Sequence, residues 1–307
     1  MKKTSSPFAI LLLSAALGCG SSSPQPSSPT SPNDVAQAQA KDQTVDTGAT
    51  EDDSTKDLAD HHRHHHHGGF AMFIAMSIEG LNATPEQQDQ LQKIEADMHA
   101  KMQPAHDVEK QILLALADGV AAGNVDHGKL DPMAQQLAEA AAGIHDGVVD
   151  SLNQLHNILN ASQRQALVDK VEAHLAVWHH TNVDDEAGNK DKNDGQIDAL
   201  AKLLSLTPQQ VDQITSAYVG AIGSAPKFDR AEADNHLHAF AEAFTADQFD
   251  AKSLTTGAQL NAHMAAWGIS RTINLYAAAA PILTPDQRTK AADELRRHAN
   301  YKRSSEN

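Results

Sequence analysis

The sequence Leu283-Thr284-Pro285-Asp286-Gln287 occurs in related form at three other places in the chain. Leu206-Thr207-Pro208-Gln209-Gln210 has the same pattern, and two further segments keep its polar positions, namely Ala83-Thr84-Pro85-Glu86-Gln87 and Leu159-Asn160-Ala161-Ser162-Gln163. In each of these four pentads, Thr or Asn can cap a helix by accepting a backbone hydrogen bond, and in three of them Pro follows at the first helical position. Each pentad therefore predicts the start of a helix.

The glutamines of the pentads are spaced as two copies of one unit. Gln87 and Gln163 are 76 residues apart, and Gln210 and Gln287 are 77 residues apart. Corresponding glutamines of the two pairs are separated by 123 and 124 residues. Because self-similarity at a fixed period indicates a repeated structural unit, the spacing predicts two tandem units, which we call unit one (70–180) and unit two (200–303). Residues 181–199 are predicted to form an acidic linker.

Apolar residues after the pentads recur at the spacing of a helix. Leu91, Ile94 and Met98 follow the first pentad in this way. Val211, Ile214 and Tyr218 follow the third, and no segment alternates apolar and polar residues over a sustained length. We therefore expect an all-α fold. Its helical hairpins would gain stability by packing on the second copy.

Helix-breaking residues predict where these helices end. Pro104 and Pro226 are expected to break or kink the first helix of each unit. Gly123, together with its neighbours Gly119 and Asn124, is expected to end the next helical stretch. Apolar residues that share one helical face between 144 and 159 predict a single long helix before the second pentad.

The N-terminus has the features of an export signal. Lys2 and Lys3 precede an apolar stretch, and Ala16-Leu17-Gly18-Cys19 resembles the bacterial lipobox, in which the cysteine becomes lipid-modified. We expect residues 1–18 to be a lipoprotein signal peptide and Cys19 to carry the lipid, although a chance cysteine beside an ordinary cleavage site is the alternative. The protein would be exported and anchored in the outer membrane facing the periplasm, with the cell surface as the other location.

Residues 19–69 are predicted to form a disordered tether, because they contain almost no large apolar side chains before a run of histidines. Imidazoles on such a segment can bind zinc, nickel or copper, with affinity that falls below a pH of about 6.5. A solubilising spacer is the alternative interpretation. The candidate metal ligands are His61, His62, His64, His65, His66 and His67.

Composition excludes several functional classes. The formal net charge is −16, which argues against nucleic acid binding, and the single cysteine excludes a thiolate metal cluster. The sequence contains no nucleophile elbow, phosphate loop or zinc-protease motif. We therefore expect no enzymatic activity and no required cofactor, and we expect membrane contact through the lipid anchor only.

The pentads resemble the motif of the periplasmic LTXXQ family, which includes Spy- and CpxP-like proteins and is related to CnrX-type metal sensors. The resemblance covers both units, with Ala83 and Asn160 as departures from the motif. It implies an antiparallel helical cradle, built by relatives as a homodimer and here by the two units of one chain as a pseudo-dimer. It implies a structural, helix-capping role for Thr84, Gln87, Asn160, Gln163, Thr207, Gln210, Thr284 and Gln287.

Two functions are consistent with this resemblance. The first is an envelope stress protein that binds unfolded proteins, envelope proteins or a sensor kinase without ATP. The second is a sensor or buffer for zinc, nickel or copper. Spy-like cradles are basic, whereas unit one has 15 acidic and 6 basic residues, a balance that favours cations as ligands.

Overall fold

The computed structural model describes residues 68–78, 80–182 and 195–300, and every regular element in these ranges is helical. The prediction of an all-α fold is therefore confirmed. The predictions for the signal peptide, Cys19, the tether and the histidine run at 61–67 lie outside the described residues, as does most of the linker. No helix in the described ranges is long and apolar enough to cross a membrane.

In the described ranges, five helices lie in or overlap unit one, and the other elements lie in or overlap unit two, with the first of them beginning inside the predicted linker. In unit one they are α1 (Gly69–Ile78), α2 (Pro85–Ala122), α3 (His127–Gly147), α4 (Val149–Ile158) and α5 (Ala161–Asn182). In unit two they are α6 (Gly195–Leu204), α7 (Pro208–Ile222), α8 (Arg230–Thr245), a 3-10 turn (Ala251–Ser253), α9 (Gly257–Ala279) and α10 (Pro285–Ala299).

The two prolines behave differently. Pro226 lies in the connection between α7 and α8, after Gly223 and before Asp229, whose carboxylate caps α8. Pro104 lies inside α2, which continues without a break for 38 residues. Both Pro104 and Ala100, whose carbonyl group loses its helical partner, are exposed, so water can hydrate that carbonyl. The predicted break at Pro104 is therefore wrong.

The predicted long helix between 144 and 159 is divided in two. The backbone leaves helical geometry at Val148, with φ −96° and ψ 0°, between α3 and α4. The break lies at Val148, between Gly147 and a second valine, Val149. Glycine and β-branched residues such as valine both have low helix propensity. By contrast, α2 ends as predicted at Gly123, which has φ +77° and accepts no side chain without strain.

Helix α1 is the centre of the core. It has the sequence Gly-Phe-Ala-Met-Phe-Ile-Ala-Met-Ser-Ile, and all its residues except Met76 are buried. It contacts α2, α3 and α5 of unit one and α9 of unit two. At its first turn, the Phe70 amide N–H donates a hydrogen bond of 2.8 Å to the buried Oδ1 of Asn261 on α9. One apolar helix of unit one thus packs directly on unit two.

The two units also contact each other through longer helices. α3 packs along α9, and α2 packs along α10. The facing surfaces of α3 and α9 contain many alanines, which allow close approach of the two helix backbones. The core is consequently continuous across both units.

Aromatic side chains form a chain of contacts around α1. Phe70 packs edge-on against Phe240 at 5.6 Å between ring centroids, and Phe73 packs against Trp178 at 6.1 Å. Trp178 contacts Trp267 on α9 at 5.4 Å. These separations are typical of favourable aromatic pairs. Since the chain has few aromatics, α1 joins most of them into one cluster.

We expect the substitution Phe73→Ala to lower the free energy of unfolding by about 3–5 kcal/mol, because it removes a ring that is 1% exposed at the centre of this cluster. Urea unfolding followed by circular dichroism measures the change. The control is Val219→Ala, at a side chain that is 59% exposed, which should change stability by less than about 0.5 kcal/mol. Equal effects of the two substitutions would show that α1 does not stabilise the core.

Candidate functional site

The two pentads of unit one are joined by a reciprocal pair of glutamines. Gln87 Nε2 donates to Gln163 Oε1, and Gln163 Nε2 donates to Gln87 Oε1, both at 3.0 Å. Each Nε2 also donates to a backbone carbonyl beside the opposite pentad, that of Ile158 for Gln87 and that of Asn82 for Gln163, both at 2.8 Å. The side-chain amides therefore tie the start of α2 to the start of α5.

Each of these glutamines also completes the cap of its own helix. Gln87 Oε1 accepts from the Thr84 N–H at 3.0 Å, while the Gln87 N–H donates to Thr84 Oγ1. Asn160 and Gln163 form the same two bonds, both at 3.0 Å. The replacement of Thr by Asn at 160 therefore retains the whole capping box.

Unit two contains the same arrangement. Gln210 Nε2 donates to Gln287 Oε1 at 2.7 Å, and Gln287 Nε2 donates back to Gln210 Oε1 at 3.3 Å. Thr207 and Thr284 cap α7 and α10 with full capping boxes. We call each of these pairs of glutamines, with its caps, an amide clasp.

An arginine follows the glutamine of the second pentad in both units and points toward the other unit. Arg164 donates to the carbonyl of Leu159 at 3.2 Å and lies 3.6 Å from the Asp247 carboxylate of unit two. Arg288 donates to the carbonyl of Leu283 at 3.3 Å, and its guanidinium lies against Gly123, the residue that ends α2. The two arginines thus connect each clasp with the opposite unit.

We expect Gln87→Ala and Gln163→Ala each to lower the free energy of unfolding by about 1–3 kcal/mol, because each leaves part-buried polar groups without their partner. The double variant should lose less than the sum of the two, with a coupling energy of about 1 kcal/mol or more. Denaturant unfolding of the four proteins measures this cycle. Gln88→Ala, at an exposed neighbouring position, is the control and should be near neutral. Strict additivity would contradict the clasp.

An open groove of about 620 Å³ lies between α3, α9 and the end of α7. Its floor and walls come from both units and consist mainly of small side chains. Residues that line it include Ala134, Gln135, Ala138, Ala221, Ala225, Ala266, Ser270 and Asn274.

The groove is nearly uncharged, although the chain as a whole is strongly acidic. The ionisable groups among its lining residues are His127 and Asp131, which face each other with 3.2 Å between Nδ1 and Oδ1. Ile273 is its one large aliphatic side chain. Elsewhere on the described surface, Val219 is the one exposed large apolar residue. The groove is therefore a concave surface suited to a neutral ligand.

The described histidines do not assemble into a metal site. No group of three or more His, Cys, Asp or Glu side chains in residues 68–78, 80–182 and 195–300 is placed to hold a metal ion. Several histidines form pairs with single carboxylates, such as His263 with Glu232 at 2.7 Å between Nδ1 and Oε2. His156 instead donates from Nε2 to the Ala246 carbonyl at 2.9 Å, and its ring stacks on Phe249. The histidine run at 61–67 lies outside the described residues.

Sequence reasoning found the pentads as helix starts but missed the pairing of their glutamines and the role of Arg164 and Arg288. A signal was present, since the dipeptide Gln-Arg ends two pentads 124 residues apart. The groove could not be read from the sequence, because alanine, serine and asparagine at helical positions do not distinguish an open surface from a packed one.

Residues 70–170 match the profile of the family described as LTXXQ motif family protein. The matched region covers the first two pentads and the clasp between them, and it ends before unit two. No curated protein sequence and no solved structure matches the chain significantly. Unit one is therefore similar to LTXXQ proteins in its sequence, and the amide clasp gives the motif residues a physical function.

Proposed function

We propose that this chain is an exported, lipid-anchored protein of the Spy/CpxP-like kind, which binds unfolded or partner polypeptides without ATP and catalyses no reaction. The groove between α3, α7 and α9 carries the proposal. Its volume of about 620 Å³ lies within the usual range of binding pockets, and its small neutral side chains leave backbone-sized space for a peptide segment. The similarity of residues 70–170 to the LTXXQ family supports it.

We also propose that the chain is a tandem duplication whose two units act as an intramolecular pseudo-dimer. Support comes from the two amide clasps, which have the same reciprocal hydrogen bonds in each unit. The segment from the start of α7 to the end of α8 also corresponds in length to the single helix α2. The groove fits this arrangement because α3 contributes one side of it and α7 and α9 contribute the other. A partner would then bind across the junction of the units.

The partners that we propose are unfolded or envelope proteins, with a sensor kinase as a more specific one. Cys19 would hold the protein at the outer membrane, facing the periplasm. The groove offers hydrogen-bonding groups, such as Gln135, Ser270 and Asn274, beside alanines. This mixture favours an extended polypeptide, whose backbone needs donors and acceptors, over a purely apolar ligand.

The substitution Ala138→Trp tests the groove, because the new ring would fill it from α3. We expect the Kd for an unfolded probe, reduced and carboxymethylated α-lactalbumin, to rise about tenfold or more through steric exclusion. Fluorescence anisotropy of the labelled probe, with the soluble chain from residue 20 and a chelator present, is the measurement.

The matched control for this substitution is Ala96→Trp, which adds the same ring at an exposed position on α2. It should leave the Kd unchanged. Circular dichroism and the melting temperature verify that both variants fold. If the two variants bind the probe as tightly as the parent chain does, the groove is not the polypeptide site.

A metal-binding function is the second candidate, because six histidines lie in seven positions at 61–67. We propose that this run binds zinc, nickel or copper as an accessory to polypeptide binding, whereas a metal sensor or buffer would need metal binding to be the main function. The lack of a three-ligand group in the described ranges favours the accessory role.

Calorimetric titration with zinc, nickel and copper distinguishes the two roles. We expect the soluble chain from residue 20 to bind metal and the same chain without His61–His67 to lose that binding, with affinity falling below pH 6.5 as the imidazoles protonate. Tight stoichiometric binding that survives the deletion would reveal a folded metal site and favour the sensor.

A further inference from the structure

A cavity of about 10 Å³, the size of a single water molecule, lies beneath the first turn of α1. It is lined by residues from both units. Phe70 comes from α1, His145 from α3, His236 and Phe240 from α8, and Gly257 and Asn261 from α9.

Two imidazoles meet at this cavity, one from each unit. The rings of His145 and His236 are 6.4 Å apart between centroids. His236 is 3% exposed, and its Nδ1 lies 2.8 Å from Thr256 Oγ1. The ring of Phe70 packs edge-on against His236 at 4.6 Å. The position of α1 is thus set in part by contact with a buried imidazole.

His145 is only partly buried, but one side of its ring packs closely against α9. A Cβ atom at Gly257 would lie 2.2 Å from Nδ1 of His145, so any side chain at 257 would collide with the imidazole. The glycine lets α9 approach this ring. There is consequently no room for His145 to turn away from His236 on that side.

No opposite charge lines the cavity. α1 has no ionisable side chain between Gly69 and Ile78, and α9 contributes Gly257 and Asn261. Phe240 on α8 and Leu152 on α4 are apolar. The carboxylate that acts on the pair is that of Asp146, the chain neighbour of His145.

Burial governs the charge of both imidazoles. Burial, with a smaller repulsion from His145, lowers the pKa of His236 to about 4. Burial also lowers the pKa of His145, while Asp146 acts in the opposite direction. Both rings are therefore neutral at pH 7, and a positive charge on either is opposed by the apolar surroundings and by a charge on the other.

We propose that α1 is an acid-released helix. Protonation of His145 and His236 would loosen the first turn of α1 from its place between the two units and uncover the aromatic rings that it covers. These rings, among them Phe240 and Trp178, are buried in the closed form. The acid form would therefore have an apolar binding surface that the neutral form lacks.

The direction of the effect follows from proton binding. In the opened form His236 takes up a proton at its ordinary pKa of about 6.5, whereas in the closed form it does so only near 4. Opening is therefore unaffected above pH 7 and becomes more favourable as the pH falls from 6.5 to 4. For His236 alone, the opening constant should rise about 20-fold between pH 7 and pH 5.

Hydrogen exchange of the peptide 69–78 in the soluble chain from residue 20 tests this proposal. After correction for the intrinsic pH dependence of exchange, protection should fall by about 20-fold or more between pH 7 and pH 5. Binding of an apolar fluorescent dye should rise in parallel. Far-UV circular dichroism should stay helical at pH 5, which separates local release from global unfolding.

The double variant His145→Gln and His236→Gln should lose most of this pH dependence, because glutamine keeps a polar side chain but takes up no proton. His238→Gln, an exposed position on the same helix, is the matched control and should respond to pH like the parent chain. If the double variant does not fold, His145→Gln alone should still weaken the response. A parent chain whose 69–78 protection is constant from pH 7 to pH 5, or variants that respond like the control, would overturn the proposal.

Discussion

The reciprocal hydrogen bonds between Gln87 and Gln163, repeated by Gln210 and Gln287, are the constraint on which the fold depends. Each amide oxygen caps its own helix while also accepting from the partner, and each amide nitrogen spans to a carbonyl beside the opposite pentad. A helix start has backbone groups without intrahelical partners. By pairing two such starts, each clasp fixes two chain segments that are more than 70 residues apart and leaves the helices free to extend from one shared end.

The clasps order the helices within each unit, whereas α1, with the longer pairs α3–α9 and α2–α10, joins the units. Its predominantly apolar sequence is buried on almost every side, so α1 itself forms the centre of the hydrophobic core. The alanine-rich faces of α3 and α9 pack closely but bury little apolar area per residue. The few aromatic rings of the chain, which cluster around Phe70 and Phe73, supply much of the other buried apolar area. α6, at the corresponding place in unit two, packs mainly on α7 and α10 and less extensively than α1 packs on its neighbours, so the two units are not equivalent.

The sequence was sufficient for the features that are local. Caps and glycines predicted the start of α10 and the end of α2 at Gly123. The helical spacing of apolar residues, without sustained alternation, predicted the all-α fold. The sequence was insufficient where the local structure depends on solvent exposure or on contacts between distant segments. Pro104 is tolerated because it faces water, which no residue pattern stated. The apolar residues of α1 follow one another almost without interruption and show no helical period, so α1 was not predicted as a helix. The meeting of His145 and His236 depends on the docking of two units and has no signature in residue spacing.

The amide clasp carries no formal charge, and this has a consequence for how the protein responds to its ionic surroundings. A chain with a net charge of −16 repels itself, and that repulsion weakens as mobile ions shorten the Debye length. A fold held by exposed ion pairs would lose attraction under the same conditions. Here the helix starts are joined by hydrogen bonds between uncharged amides, which salt screens little. Added salt therefore weakens the repulsion and leaves these hydrogen bonds intact. The free energy of unfolding should therefore increase with ionic strength and decrease in solutions of low salt.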